Sequence, residues 1–318
     1  MTKDRNESHY WSVILAGGDG QRLLPLTRLV SGDDRPKQFC PLLSGGKTLL
    51  EETRARTARF IRPERTVFVL NGMHEPFYVE ELASVSPELM VVQPGNCGTL
   101  PAILASLARI IEFDEQAIVG FFPCDHHYSR EDTFVEGASR GFRAARLLSN
   151  SVILLGTTAT HAEPGYGYIE PAGITRRRRR VLHPVSRFWE KPSLALAESL
   201  RQRGCLWNTF VMIGRGSAFL DMIQAAVPDV YASFKQILPP RPARLRQGLD
   251  TIYRSLQPSD FSNLVLASGC SGLCVLDVGE TGWNDLGDPD RLSATLALDG
   301  VKSPWCELWA RQASTSPG

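Results

Sequence analysis

An apolar run, Trp11-Ser12-Val13-Ile14-Leu15, runs directly into Ala16-Gly17-Gly18-Asp19-Gly20-Gln21-Arg22. A strand that ends in closely spaced glycines exposes backbone N–H groups with no side chains in the way, so the loop can wrap phosphate oxygens. Arg22, and Lys37 in Arg35-Pro36-Lys37-Gln38-Phe39, bring fixed positive charge to the same region. The loop matches neither common glycine motif. A dinucleotide fingerprint fails because the frame from Gly18 has Leu23 at its sixth position. Gly45-Gly46-Lys47-Thr48 fails as a P-loop because Pro41 stands where the first glycine belongs. That segment reads as a turn leading into a helix.

Further strand-like runs occur at Thr66–Leu70, Leu89–Val92, Ala117–Phe122 and Val152–Gly156, after Val13–Ala16. Candidate helices lie between them near 48–61, 74–84, 101–112 and 132–148. This alternation predicts an α/β fold, a mostly parallel sheet with helices on both faces, whose ligands bind at the carboxyl ends of the strands. The later chain is less regular. Residues 166–190 read as two extended segments around a basic loop, 176–180, that reads as a solvated turn. Residues 194–203 and 217–226 read as helices, 208–214 as a strand, and 228–262 as helix broken by Pro239, Pro240 and Pro242.

Lys and Arg (35) nearly balance Asp and Glu (34), which argues against a nucleic-acid or membrane-surface partner. No apolar run approaches the roughly 20 residues of a membrane span. The polar start, Met1 to His9, lacks the apolar core of a secretory leader. Seven scattered cysteines with no C-x-x-C read as reduced thiols in a cytoplasmic protein.

Six further motifs follow the glycine loop in order: Pro36-Lys37-Gln38-Phe39, Pro123-Cys124-Asp125-His126, Tyr166-Gly167-Tyr168-Ile169, Phe188-Trp189-Glu190-Lys191-Pro192, Trp207-Asn208 and Trp283-Asn284-Asp285-Leu286-Gly287. With Leu15-Ala16-Gly17-Gly18-Asp19-Gly20-Gln21-Arg22 they resemble the sugar-1-phosphate nucleotidyltransferases, and among these the mannose-1-phosphate guanylyltransferase branch. The resemblance spans about residues 10 to 296. It implies a Rossmann-like, mostly parallel mixed sheet flanked by helices. One catalytic domain is then expected over 10–300, with a nucleotide half to about 160 and a sugar half beyond it. Residues 1–9 would be a disordered tail and 301–318 a C-terminal tail, frayed from Ala310 onward.

The resemblance also implies a site. Leu15, Ala16, Gly17, Gly18, Gly20 and Gln21 would hold the nucleotide, with Gln93, Gly98 and Thr99 near the base. Arg22 and Lys37 would grip the β- and γ-phosphates. Asp125 and Asp285 would hold Mg²⁺, a hard cation that takes carboxylates together with substrate phosphates. Lys191 would meet the sugar phosphate, and Gly167, Glu190 and Asn208 the sugar. His126 and His127 read as shaping the loop, and Trp207 and Trp283 as packing. A sugar phosphate is anionic at neutral pH, so the reaction needs positioning and charge neutralisation rather than a general base. The partners expected are a nucleoside triphosphate and a sugar-1-phosphate, with self-association into a homodimer left open.

The chain departs from the branch at the base. Gln93-Pro94-Gly95-Asn96-Cys97-Gly98-Thr99 stands where the branch resembles E-P-x-x-R-N-T, and Phe210 stands where it has Gly. A Gln-Pro also resembles the uridylyl- and thymidylyltransferases. Three activities follow as alternatives: GTP with mannose-1-phosphate, UTP or dTTP with glucose-1-phosphate, and a non-catalytic regulator that binds sugar nucleotide.

Overall fold

Side chains alternate across a strand, so a strand between two helix layers is apolar on both sides. In β4 (Ile118–Pro123) Val119 and Phe121 enter one core, while Ile118 and Phe122 enter another. The helix Thr99–Phe113 fills the first core, and the helix Glu131–Leu147 the second. The computed structural model describes residues 8–43, 45–173, 181–238, 242–269, 271–298, 300, 305, 306 and 309.

The strands are β1 (Tyr10–Leu15), β2 (Thr66–Asn71), β3 (Met90–Gln93), β4, β5 (His127–Tyr128), β6 (Val152–Thr158), β7 (Tyr168–Pro171), β8 (Leu182–Trp189), β9 (Leu206–Arg215), β10 (Leu273–Asp277) and β11 (Trp283–Asn284). Nine of them form one sheet in the order β3-β2-β1-β4-β9-β6-β10-β8-β7, and β5 pairs with β11 separately. Within the sheet β8 and β9 run against the other seven, so the sheet is mixed but mostly parallel in direction, as expected. The carboxyl ends of β1, β2, β3 and β4 therefore share one edge.

Local sequence explains most elements. Thr48 caps the helix Leu49–Thr57 in a capping box with Glu51, which bears out the turn into a helix. The expected helix 74–84 is shorter: only Glu75–Tyr78 is helical, and turns follow, closed by Val85 N–H on the Leu82 carbonyl. A single helical turn gains too few hydrogen bonds to propagate. The helices Pro228–Lys235 and Pro242–Tyr253 flank the proline break, whose Pro239 and Pro240 lie outside the described residues. So do the arginines 176–180 and the tail from Ala310. The expected tails are partly ordered: His9 Nδ1 lies 2.9 Å from Asp114, and buried Trp305 donates its indole N–H to the Leu42 carbonyl. Six cysteines are described and none forms a disulfide. Among the described residues, no helix is long and apolar enough to cross a membrane.

Candidate active site

A cleft of about 460 Å³ opens along the shared strand edge. Its roof is the glycine loop. Gly18 has open space where a Cβ would stand, so its backbone is accessible. Gly20 is left-handed (φ +59°), and a Cβ there would come within 3.1 Å of the Lys37 backbone nitrogen. Gln38 fixes this loop by donating its amide to the carbonyls of Ala16 (3.0 Å) and Gly18 (2.7 Å). Asp19 would repel a polyphosphate, but it is turned aside to accept from Asn96 (3.0 Å) and Asn71 (3.4 Å).

The floor is built by a two-residue ladder. Where β5 pairs with β11, His127 faces Asn284, which brings the residues just before β5 to those just after β11. Asp125 and Asp285 thereby line one cleft. Lys37 sits beneath them, 8% exposed. Its three N–H donors go to the carbonyls of Asp285 (2.8 Å) and Leu286 (2.9 Å) and to Asp125 Oδ2 (3.1 Å). Burial pushes the Asp125 carboxyl up, but Lys37 and His126 outweigh it and hold the group below the usual carboxylate range. His126 Nδ1 accepts from the Trp283 indole (3.1 Å), so that nitrogen serves the loop, as expected.

Asp285 is paired on its other side by Arg291, which sequence reasoning missed. Arg291 Nη1 lies 2.9 and 3.1 Å from the two carboxylate oxygens, and Nη2 is 2.9 Å from Glu163. Its Nε is 3.2 Å from Asp288, and the guanidinium lies over the Tyr166 ring at 4.7 Å. A signal was present in Asp288-Pro289-Asp290-Arg291, an acidic turn opening a helix.

The side expected to meet the sugar is set by register. Tyr168 pairs with both Trp189 and Trp207, so Gly167, Glu190 and Asn208 meet at the ladder ends. A Cβ on Gly167 would lie 3.2 Å from Glu190 Oε2 and 3.4 Å from Asn208 Cβ. Burial pushes the Glu190 carboxyl up, and Lys191 pulls it back. Lys191, Phe210 and Leu286 have φ of 43°, 57° and 47°, the described non-glycine residues in the left-handed region. All three are at the cleft or next to it, where such strain concentrates. At Phe210 a glycine would adopt this φ without strain. A bulge there sets residues 209–211 of β9 against Leu155, and Thr209 donates to the Leu155 carbonyl (2.7 Å).

The wall expected to meet the base is held differently. Gln93 Nε2 donates to the Leu70 carbonyl (3.3 Å), and Oε1 accepts from Tyr253 Oη (2.7 Å). A carbonyl can only accept, so this pair fixes which end of the amide is nitrogen. Gly98 has φ +90°, and a Cβ would lie 2.4 Å from the Ser259 carbonyl oxygen. Ser259 bonds back to Cys97 and Leu100, and Thr99 Oγ1 accepts from Phe261 N–H (2.8 Å). Residues 253–261 thus strap the base segment, a role absent from the sequence reading.

Of the expected residues, Leu15, Gly17, Gly18, Gly20, Arg22, Gln93, Gly98, Thr99, Asp125, Gly167, Glu190, Lys191, Asn208 and Asp285 all line this one cleft. Three do not. Ala16 is buried behind the loop, Gln21 is exposed outside the cleft, and Lys37 lies under the floor with its donors already used. Lys37 is therefore a tether of the two acids here, rather than a hand held out to phosphate. Trp207 and Trp283 are buried and both meet the Tyr166 ring, although Trp283 also borders the cleft.

The donors on the floor suit Mg²⁺ in one way only. Among the described residues no group of three or more His, Cys, Asp or Glu side chains could hold a metal. Two carboxylates on one cleft floor still suit an ion that takes its other ligands from phosphates and water.

The profile of the nucleotidyl transferase family matches residues 11–299. The chain belongs to that family. This nucleotidyl transferase is 28% identical to the alginate biosynthesis protein AlgA of Pseudomonas fluorescens, over 94% of this chain and 57% of AlgA. It is 26% identical to mannose-1-phosphate guanylyltransferase 2 of Escherichia coli O157:H7, over 87% of this chain and 58% of that protein. The chain thus spans less than two thirds of these relatives. Its fold is similar to the crystal structure of mannose-1-phosphate geranyltransferase from Thermus thermophilus, with a TM-score of 0.78 and 25% identity over 93% of this chain and 80% of that one.

Proposed function

We propose that this nucleotidyl transferase joins GTP and mannose-1-phosphate into GDP-mannose and pyrophosphate, with Mg²⁺ as its cofactor. The observation that carries this reading is the continuous lining of one cleft by a phosphate-wrapping loop, two carboxylates and a sugar wall. The naming of a relative as a mannose-1-phosphate guanylyltransferase supports the choice of substrates.

In this reading a phosphate oxygen of the sugar-1-phosphate attacks the α-phosphorus of the nucleotide. The bond from that phosphorus to the bridging β-oxygen breaks, and pyrophosphate leaves with the electron pair. Asp125 and Asp285 would hold the metal, which when bound neutralises phosphate charge at the attacked centre. The N–H groups around Gly18 and the guanidinium of Arg22 take the leaving pyrophosphate. Lys191 holds the attacking phosphate, and Glu190 and Asn208 accept from or donate to sugar hydroxyls. Lys37 keeps Asp125 and the Asp285 backbone at fixed spacing.

Gln93 favours a second reading as well. With its amide held by Leu70 and Tyr253, it retains one N–H and one lone pair for a base. That pattern suits the carbonyl beside a ring N–H in guanine, and equally the same edge of uracil or thymine. The test is pyrophosphate release with Mg²⁺ across GTP, ATP, UTP, dTTP and CTP, each against mannose-1-phosphate and glucose-1-phosphate. A dominant GTP and mannose-1-phosphate pair upholds the first reading. A dominant pyrimidine pair transfers the mechanism to the second. Nucleotide binding without release anywhere would mark a regulator, which the presence of Arg22, Lys37, Asp125, Lys191 and Asp285 speaks against.

A further inference from the structure

Each carboxylate proposed to hold the metal is already paired with a cation of the chain. Lys37 meets Asp125, and Arg291 meets Asp285 together with Glu163 and Asp288. The Arg291 side chain is 17% exposed, and all three of its guanidinium nitrogens are used. The Asp285 carboxylate also accepts from Gly287 N–H at 2.9 Å, so Oδ1 already has two donors. The room for Arg291 is made by two glycines. A Cβ on Gly165 would lie 2.2 Å from Nη2, and one on Gly287 3.0 Å from Nη1. Neither glycine has a backbone in the left-handed region, so space is what a side chain there would take.

We propose that Arg291 is the internal counter-ion of Asp285 and competes with the divalent cation for it. This rests on the reading of Asp125 and Asp285 as the metal pair. A carboxylate bridged by a guanidinium and a backbone N–H must give up a charge-assisted bond before it can ligate a metal. Arg291 thus satisfies Asp285 electrostatically before any metal arrives. The metal enters with the triphosphate, whose oxygens supply ligands that the two acids alone do not. Arg291 acts through Asp285 and is a positioning residue, not a catalytic one.

The experiment is Mn²⁺ titration of the nucleotide-free full chain, read by the electron paramagnetic resonance of free Mn²⁺. R291Q removes the charge, and R291K keeps a charge without the planar fork. G165A keeps Arg291 but crowds Nη2 and Cζ, which shifts the planar guanidinium as a whole, Nη1 included, away from Asp285. The expected result is Mn²⁺ binding at least about tenfold tighter in R291Q, with R291K in between and G165A shifted the same way. The gain should vanish in D285N/R291Q. If R291Q does not fold, as judged by circular dichroism, G165A carries the test. Mn²⁺ affinity unchanged or weaker in the folded variants overturns the proposal, as does a gain that survives D285N. If D285N alone leaves Mn²⁺ binding untouched, the metal-pair reading fails, which is a different outcome from an Asp285-dependent site indifferent to Arg291.

Discussion

The floor of the cleft and its base wall are built by different physics. On the floor, ionic groups hold ionic groups: Lys37 on Asp125, Arg291 on Asp285. On the base wall the more buried contacts are neutral: Leu70 and Tyr253 on Gln93, and the Ser259 and Phe261 backbone on residues 97–100. Carboxylates enter only at the exposed rim, Asp260 on Thr99 and Asp19 on Asn96. Opposite charges close together in a poorly hydrated place tolerate little change, because removing one leaves the other uncompensated. A neutral hydrogen bond contributes about 1 kcal/mol net, so it can be exchanged at modest cost. The division separates the groups proposed to do the chemistry from those proposed to meet the base. The departures from the guanylyltransferase pattern at 93, 97 and 98 lie on this wall, with a further one at Phe210, while Arg22, Lys37, Asp125, Lys191 and Asp285 are all present.

Substitutions can sharpen or break this contrast. The largest effect is expected from Asp285→Asn, which should lower turnover by about 100-fold or more with the fold retained, measured as pyrophosphate release. Near-normal turnover would take Asp285 out of the chemistry. Next, Lys37→Met should strand the Asp125 carboxylate and lower unfolding free energy by about 2–3 kcal/mol in urea denaturation. An equally stable variant would show that the floor does not depend on charge pairing. Lys191→Ala is expected to raise KM for the sugar phosphate by roughly 10-fold, at the scale of one charge-assisted hydrogen bond, with the KM for the triphosphate nearly unchanged. An effect confined to the triphosphate would reverse the assignment of Lys191. The smallest change should come from Tyr253→Phe, a shift of about two- to tenfold in the ratio of kcat/KM between nucleotides. Loss of turnover with all nucleotides alike would break the contrast, because it would make the base wall part of the chemistry. Gln93→Glu belongs to the same test. Its carboxylate would face the Leu70 carbonyl, so a move toward GTP requires the side chain to leave that contact.

The sequence made the motif-borne parts legible because each follows a local rule. Glycines after an apolar strand expose backbone, and an Asp just past a strand sits at the edge where ligands bind. β1 to β4 and β6 were readable as apolar runs, and the single cleft was foreshadowed by the motif set. What escaped was whatever depends on distant partners. Arg291 gains its meaning from Glu163 and Asp285, 128 and 6 residues away. Tyr253 gains its own from Gln93, 160 residues away. Lys37 was read as a free cation because nothing local shows that two carbonyls from residues 285 and 286 will accept its hydrogen bonds. β5, β10 and β11 were missed for a related reason: two-residue ladders carry no periodicity, and Leu273–Asp277 sits among turns.

The two-residue ladder between β5 and β11 also sets an order of events. The glycine loop is synthesised early, yet Lys37 meets its carbonyl partners 248 and 249 residues later. Closing so long a loop is entropically expensive and is offset only when the second half has docked. A chain truncated before residue 285 should therefore leave Lys37 without these two partners. The lysine beneath the floor is anchored last, so the ladder works as the clasp that joins the early and late parts of the chain.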